Sequence, residues 1–315
     1  RTFKIVYRRL CAMKNNKELI YGIMQDTLGV SKEMVQYIER TPGGETNDSY
    51  FVTIEEERFV VRIPGKGTEE LLDRCAEKQN LLFGTELGIN PPLVYYDDGT
   101  GVKITRAIDG AEALTPKMAR EKGLMQDVIH LFQCLHHAEA PTMNRFDLFK
   151  RIDHYESLVK NENEMKLDQI ASLRQDIHEL KNVYQSFQVK EVPCHMDAVF
   201  VNILKDKEDH LFLIDWEYSG LCDPLWDIAT LSLSLLLDEE EEMFFLSYYF
   251  GRSPNEEELQ RLHLLKIFLD YYWSLWYFYK EAKGEQFGDS GMRRVNRAES
   301  HIIQYKDIYE SNIVV

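Results

Sequence analysis

Apolar and polar positions change their spacing about a third of the way along the chain. Between residues 35 and 108, short segments rich in β-branched and aromatic residues are separated by turn residues, which predicts β-strands. After about residue 115, apolar positions recur at helical spacing over most of the chain. The pattern therefore predicts an α+β protein with a small β-rich N-terminal lobe and a larger, mostly helical C-terminal lobe.

The individual elements follow from the same patterns. Predicted strands in the N-terminal part are 35–40, 49–55, 58–63, 93–97 and 102–108, and its two predicted helices are 17–30 and 69–87. The predicted helices of the C-terminal part are 116–138, 146–160, 165–188, 223–236, 239–250, 254–282 and 290–311. One strand pair, 199–206 with 210–216, interrupts these helices, and residues 1–16 show no clear pattern.

Composition restricts the class of protein. A chain of 315 residues can form one two-lobed domain or two domains. No apolar run approaches the roughly 18 residues of a membrane span, and no secretory signal is visible, so we expect no membrane partner. The net charge of −16 argues against a nucleic-acid partner. Five scattered cysteines without a CxxC pair indicate a reduced, cytoplasmic protein.

The strongest chemical signal is a set of polar residues in two apolar segments, 193-PCHMDAVFVNIL-204 and 214-IDWEYSG-220. If these segments form a hairpin, Asn202 and Asp215 can face one another and share a cation. Mg²⁺ prefers such hard oxygen ligands and keeps room for phosphates. Asp197 then remains as a base or an orienting group for an attacking hydroxyl, as phosphoryl transfer requires. The alternative is a polar turn whose side chains cap loop backbone groups.

A glycine-containing loop, 41-TPGGETNDSY-50, lies between the first two predicted strands. Glycine lets backbone N–H groups approach phosphates closely, and Thr46 and Asn47 add side-chain donors. The first hairpin of the small lobe is also where a kinase has the loop that covers its nucleotide. By itself, however, a Gly-Gly pair between strands is more often only a turn.

Arg62 lies within the predicted strand 58–63, where an inward guanidinium would need an anionic partner. Glu77 on the following helix could pair with Arg62 and hold it toward phosphates. A solvent-facing arginine on an edge strand is the alternative.

An aromatic run, 271-YYWSLWYFYK-280, places Trp273 and Trp276 on one helical face. Two neighbouring indoles can form the walls of a cage for a quaternary ammonium. Glu217, close in sequence to Asp215, could neutralise that cation. Aromatic residues at helical spacing are, however, more often part of a hydrophobic core.

Taken together, these motifs resemble those of the choline/ethanolamine kinase family, and within it the bacterial LicA-type choline kinases. The resemblance runs from about residue 20 to about residue 300. The stretches that carry it are 42–50, 59–80, 88–110, 134–141, 194–204, 213–232 and 273–276. It implies a two-lobed protein-kinase-like fold, shared with aminoglycoside phosphotransferases.

The resemblance also implies a role for each matched residue. Asp197 would be the catalytic base, and the Mg²⁺ ligands would be Asn202 and Asp215. The ATP-binding residues would be Gly44, Thr46, Asn47, Arg62, Glu77, Thr105 and Ala107. In that set, Thr105 and Ala107 belong to a hinge, 104–108, whose backbone meets adenine. The choline-binding residues would be Glu217, Trp273, Trp276 and, as a weaker match, Phe287.

The same resemblance divides the chain into an N-terminal extension, residues 1–18, an ATP-binding lobe, 19–108, and a catalytic and substrate-binding lobe, 109–315. Because the first residue is Arg, we expect a portion of a longer chain, and residues 1–18 could end an upstream module. The Asp-Trp-Glu sequence at 215–217 replaces the Asp-Phe-Gly of protein kinases, which argues against protein phosphorylation.

These motifs favour an ATP-dependent choline kinase that produces phosphocholine. One alternative is a kinase of ethanolamine, of another small amino alcohol or of an aminoglycoside. An alternative of another class is an inactive nucleotide-binding scaffold domain. No pattern in the sequence indicates the oligomeric state.

Overall fold

The computed structural model describes residues 16–41, 47–65, 67–140 and 142–310. These residues form two compact units. The first contains the described residues up to Leu114 together with Val201–Tyr218, and the second contains Thr115–Phe200 and the described residues from Ser219 onward. The predicted division into lobes between residues 108 and 109 stays a prediction.

An antiparallel sheet of five strands, in the order β1-β2-β3-β5-β4, forms the centre of the first unit. Its strands are β1 (Val35–Arg40), β2 (Asn47–Ile54), β3 (Glu57–Pro64), β4 (Leu93–Tyr96) and β5 (Lys103–Arg106). All five agree with predicted strands to within a few residues. The expected hairpin is also present, because β2 pairs with β3 along its whole length.

Helix α1 (Asn16–Leu28) covers one face of this sheet. Side chains alternate between the two faces of a strand, so Val61 and Ile63 of β3 join the core beneath α1. Arg62, between them in sequence, therefore points to the opposite face of the sheet. The alternation of apolar residues thus determines on which face the guanidinium is buried.

Helix α2 (Arg74–Glu86) follows β3 and carries Glu77 in its first turn. It begins where the Asp73 carboxylate accepts hydrogen bonds from the backbone N–H groups of Cys75 and Ala76, both at 3.0 Å. The predicted start at residue 69 was too early, since Thr68–Glu70 form a separate 3₁₀ turn.

A three-stranded sheet in the order β6-β8-β9 completes the first unit, built from β6 (Glu112–Ala113), β8 (Ile203–Lys205) and β9 (Leu211–Leu213). The predicted pair 199–206 and 210–216 exists, but its strands are shorter. Phe200–Asn202 and Trp216–Tyr218 form 3₁₀ turns at its ends. These turns carry Asn202 and Glu217, and Asp215 lies between β9 and the second turn.

The second unit is mostly helical. Its helices are α3 (Pro116–Ala119), α4 (Lys122–His137), α5 (Leu148–Gln169), α6 (Ala171–Ser186), α7 (Leu225–Leu235), α8 (Glu239–Phe250), α9 (Glu256–Ala282) and α10 (Ser290–Tyr309). One short antiparallel pair, β7 (Val192–Cys194) with β10 (Gly220–Cys222), was not predicted. Three-residue strands are too short to leave a periodic pattern.

Two helix boundaries of the second unit differ from the prediction. The expected helix 116–138 is divided, because Arg120 and Glu121 separate α3 from α4. The expected break after residue 160 is a kink and not an end of the helix: α5 continues to Gln169, and Asn163 within it has non-helical dihedrals. Along the described residues, no helix combines the length and the apolar character needed to cross a membrane.

Candidate functional site

The buried guanidinium of Arg62 is the centre of a charged cluster in the first unit. Its Nη2 lies 2.6 Å from Glu77 Oε1, and its Nη1 lies 3.0 Å from Glu217 Oε2. Burial disfavours the charge of Arg62, but the carboxylates of Glu77 and Glu217 outweigh burial and raise its pKa. For Glu77 burial likewise opposes the charge, but the neighbouring cations, Arg62 first among them, and a hydrogen bond from Tyr96 outweigh burial and lower its pKa. Both groups of this pair are therefore charged at neutral pH.

Glu217 is held in this cluster from two sides. Besides the contact with Arg62, its Oε2 accepts a hydrogen bond of 2.9 Å from the Asn47 side-chain amide. Both residues are buried. Burial, together with the charges of Asp215 and Glu77, raises the pKa of Glu217 despite the opposing effect of Arg62. Glu217 thus contacts the predicted phosphate-binding residues, and its predicted choline-binding role stays a prediction.

Asp215 is the carboxylate of the cluster that is open to a ligand. About two fifths of its side chain is exposed: 38%, against 4% for Glu217 and 0% for Glu77. Its Oδ1 lies 4.0 Å from Arg62 Nη1 and 3.7 Å from the ammonium of Lys103. Burial and the charge of Arg62 lower the pKa of Lys103. Asp215 therefore lies beside two buried cations and still has room for a further ligand.

Asn202 directly precedes β8 and Asp215 lies two residues after β9, so both flank the open end of the β8–β9 hairpin. The backbone N–H of Ile214 donates to the carbonyl oxygen of Asn202 at 3.0 Å, which places Asp215 one residue beyond this bond. The two residues are therefore near neighbours along the backbone, and the predicted face-to-face arrangement of their side chains stays a prediction. An amide oxygen and a half-exposed carboxylate are hard donors, so this pair fits Mg²⁺. That they bind the metal stays a prediction.

The predicted adenine hinge follows β5. Thr105 is paired with Val60 of β3 inside the sheet, and it is buried. The backbone N–H of Ala107 donates to the carbonyl oxygen of Arg58 at 2.8 Å. Because that N–H is already engaged, an adenine contact at Ala107 would be made by its carbonyl oxygen. The predicted loop residues Gly44 and Thr46 lie outside the described residues.

Asp197 belongs to the second unit, in the loop after β7. Met196, which precedes it, has a positive φ of 71°, a conformation that is costly for a residue with a side chain. The loop is held by Asp227 of α7, whose carboxylate accepts hydrogen bonds from the backbone N–H groups of His195 and Met196 at 2.8 and 2.7 Å. Asp227 therefore positions the residue next to Asp197.

A group of possible metal ligands surrounds Asp227. Ligand atoms of His136, Cys194 and Asp227 lie within 4.8 Å of one another, and all three residues are buried. His136 Nε2 is 3.1 Å from Asp227, and its Nδ1 is 2.7 Å from the Tyr249 hydroxyl. Both ring nitrogens of His136 and both carboxylate oxygens of Asp227 already have hydrogen-bond partners. These bonds give the group a structural role, because they hold the loop that contains Asp197.

The second unit also brings the predicted aromatic residues together. The rings of Trp273 and Trp276 are 6.2 Å apart and inclined at 72°, and Phe287 lies 5.4 Å from Trp276. Lys280 lies over the Trp276 ring at 5.8 Å and pairs with Glu285. The Trp276 ring face thus already attracts a cation. Trp276 is buried and Trp273 is half-buried, so the cluster is partly core and partly accessible.

Two residues of these sites were not predicted. Lys103 stands in the segment 102-VKITRAI-108, where a lysine among β-branched residues was a usable signal for a buried charge. Asp227 gave a weaker signal, an acidic residue within the apolar helix 223–236. Their partners are distant in sequence, so the roles became visible only when the strands and loops were paired.

Comparisons with known proteins identify the family and the fold of the chain. A sequence model of a family described as choline/ethanolamine kinase matches residues 38–288. Protein LicA of Haemophilus influenzae is 31% identical over 267 residues, which are 81% of this chain and 77% of that protein. The crystal structure of choline kinase LicA from Streptococcus pneumoniae superposes with a TM-score of 0.81 at 31% identity, covering 92% of this chain and 99% of that one.

An ADP-bound aminoglycoside phosphotransferase superposes with a TM-score of 0.60 at 18% identity, over 90% of this chain and 96% of that one, which shows a shared fold. These similarities confirm the predicted α+β, two-lobed protein-kinase-like fold with a small β-rich part and a larger helical part. They also confirm the resemblance drawn from the motifs. The chain belongs to the choline/ethanolamine kinase family and is a phosphotransferase with an alcohol group as acceptor.

Proposed function

We propose that the chain is a choline kinase, which transfers the γ-phosphoryl group of Mg-ATP to the hydroxyl of choline and releases phosphocholine. The observation that carries this proposal is the charged cluster of the first unit. There, buried Arg62 is held by Glu77 and Glu217 beside the half-exposed carboxylate of Asp215. Phosphoryl transfer depends on such fixed charges, because its catalysis consists mainly of positioning and charge neutralisation.

Each proposed role uses a group with suitable chemistry. Asn202 and Asp215 would hold Mg²⁺, which when bound neutralises charge on the phosphates. Asp197 would accept the proton of the hydroxyl while the hydroxyl oxygen forms a bond to the γ-phosphorus. The bond from the γ-phosphorus to the bridging oxygen breaks at the same time, and its electron pair leaves with ADP. Asp197 then returns the proton to solvent.

The aromatic cluster supports choline over ethanolamine. A trimethylammonium group has no N–H donor, and the faces of indole rings attract it. In the second unit, the ring centroid of Trp276 lies 6.2 Å from that of Trp273 and 5.4 Å from that of Phe287. A primary ammonium would instead require hydrogen-bond acceptors.

The test is the release of ADP with choline, ethanolamine and an aminoglycoside as separate acceptors. We expect the highest kcat/KM for choline. A higher kcat/KM for ethanolamine or for the aminoglycoside would show that this compound, and not choline, is the preferred substrate. Binding of Mg-ATP without release of ADP for any acceptor would favour the inactive scaffold.

The proposed base is tested by Asp197→Asn. We expect kcat to fall by about 10²- to 10⁴-fold, the usual contribution of a general base, while the affinity for Mg-ATP changes little. Asp153→Asn is the matched control, because Asp153 is an exposed aspartate on α5 of the same unit. Near-normal turnover of Asp197→Asn would show that another group accepts the proton.

A further inference from the structure

Lys103 is a second buried cation in the charged cluster, and the register of the sheet places it there. Strands β3 and β5 are antiparallel, and Arg62 is directly opposite Lys103. Side chains of directly opposed residues point to the same face of a sheet. Both are buried, with 1% of Arg62 and 7% of Lys103 exposed. Two like charges in such positions are unfavourable unless anions compensate them.

The anions of the protein compensate Arg62 more fully than Lys103. Arg62 contacts Glu77 at 2.6 Å and Glu217 at 3.0 Å, and its Nη2 donates to the carbonyl oxygen of Gly101 at 3.1 Å. Both terminal nitrogens of its guanidinium are therefore engaged. Glu77 in turn contacts Arg74 at 3.3 Å. These contacts hold Arg62 in place within the protein.

Lys103 lies farther from its neighbouring carboxylate, Asp215, than Arg62 does from Glu77 and Glu217. Its ammonium lies 3.7 Å from Asp215 Oδ1, which is longer than a hydrogen bond. The ammonium has three donors, so it can approach a second anion while remaining near Asp215. Asp215 is also the exposed carboxylate of the cluster and the proposed ligand of Mg²⁺. The side chain of Lys103 thus lies beside the one carboxylate of the cluster that is substantially exposed.

We propose that Lys103 is a further binding residue for the terminal phosphates of the nucleotide, beside Arg62, and that it orients Asp215. This assignment rests on the proposed function, since it concerns the same nucleotide. It predicts that replacing Lys103 weakens the binding of a nucleoside triphosphate far more than the binding of a monophosphate, which lacks the β- and γ-phosphates.

The experiment compares the binding of Mg-ATP and of AMP by calorimetry, without any alcohol present. In Lys103→Met, which removes the charge and retains an apolar stem, we expect the affinity for Mg-ATP to fall about tenfold or more. The affinity for AMP should change by less than about twofold. Lys103→Arg should retain more of the Mg-ATP affinity than Lys103→Met.

Lys78→Met is the matched control, because Lys78 is a half-exposed lysine on α2 that pairs with Asp98 at 3.9 Å. It should bind both nucleotides as the wild type does. Lys103→Gln is a second variant in case the methionine variant folds poorly, which its thermal midpoint would reveal. We expect the same selective loss in Lys103→Gln.

Unchanged Mg-ATP affinity in folded Lys103→Met and Lys103→Gln would overturn the proposal, and so would an equal loss for Mg-ATP and AMP. If the wild type binds Mg-ATP but phosphorylates no alcohol, the proposed function fails, and the binding comparison still decides the role of Lys103.

Discussion

At the scale of single residues, positive φ angles occur at the proposed metal ligand Asp215 and directly before the proposed base Asp197. Asp215 itself has φ 64°, and Met196, directly before Asp197, has φ 71°. A residue with a side chain loses about 1–2 kcal/mol in this conformation, so the surrounding contacts must hold it. The bonds from Met196 N–H to Asp227 and from Ile214 N–H to Asn202 are such contacts. These hydrogen bonds thus stabilise a costly backbone conformation at Asp215 and directly before Asp197.

Gly84 shows how one residue determines the packing behind Asp215. A Cβ atom added at Gly84 would lie 2.5 Å from the Trp216 ring. We expect Gly84→Ala to lower the free energy of unfolding by about 1–3 kcal/mol, the usual cost of overpacking, and to lower turnover because Trp216 adjoins Asp215. Unfolding by urea measures the first effect and ADP release the second.

Gly123→Ala is the matched control, since Gly123 is also in a helix, and a Cβ there would meet nothing within 4 Å. Equal stability of the Gly84→Ala variant and the wild type would mean that Trp216 moves away without cost.

At the scale of elements, the long helices α9 and α10 pack together through polar as well as apolar residues. Buried Asp270 of α9 accepts hydrogen bonds from Arg294 at 3.0 Å and from Arg297 at 2.6 Å on α10. His263 Nε2 donates to the carbonyl oxygen of His301 at 2.9 Å. Burial, with a smaller contribution from His301, lowers the pKa of His263 from 6.5 to about 4.

This pKa predicts how stability depends on pH. Between about pH 6.5 and pH 4, the unfolded chain binds a proton at His263 that the folded protein excludes. Stability is therefore complete above about pH 6.5 and decreases as the pH falls toward 4. We expect His263 to account for about 1–2 kcal/mol of the loss between about pH 7 and pH 5.

His263→Gln retains a side-chain donor but cannot be protonated, so the free energy of unfolding should decrease less steeply over this range than in the wild type. Urea unfolding at several pH values measures the slope. His210→Gln is the control, because His210 is exposed and belongs to the first unit. The same slope for His263→Gln and the wild type would contradict the assignment.

At the scale of the whole molecule, the chain combines a net charge of −16 with a site proposed for an anionic nucleotide. In the charged cluster of the first unit, Arg62 and Lys103 lie beside the three carboxylates of Glu77, Asp215 and Glu217, so the cluster provides no excess of positive charge. A divalent cation would add positive charge where Asp215 is exposed. Nucleotide binding should therefore depend on the metal.

Thermal unfolding tests this dependence. We expect Mg-ATP to raise Tm, because a ligand at 100 times its Kd stabilises the folded state by about 2.7 kcal/mol. ATP with EDTA should raise Tm much less. Asp215→Asn should reduce the shift produced by Mg-ATP, whereas the exposed-site variant Asp153→Asn should retain it. If ATP raised Tm equally in the presence of Mg²⁺ and in the presence of EDTA, the proposal that Asn202 and Asp215 bind a metal would be contradicted.

The sequence by itself determined the elements whose signals are local. The strands of the five-stranded sheet, the long helices and the loop containing Asp197 follow from periodicity and motif spacing, and the family followed from the same stretches. Arg62 and Glu77 were also predicted as a pair, because one strand and the next helix bring them close. Such features depend on neighbours within a few residues or within one hairpin.

Only the tertiary structure decided which distant residues meet. Lys103 faces Arg62 because β5 pairs with β3, a strand about 40 residues earlier, and no local pattern specifies that pairing. Glu217 contacts Arg62 and Asn47, which lie about 155 and 170 residues earlier in the chain, and these contacts were not predicted from the sequence. Asp227 reaches the loop of Asp197 across about 30 residues. Buried charges take the partners that the completed fold brings to them, because leaving one unpaired would cost several kcal/mol.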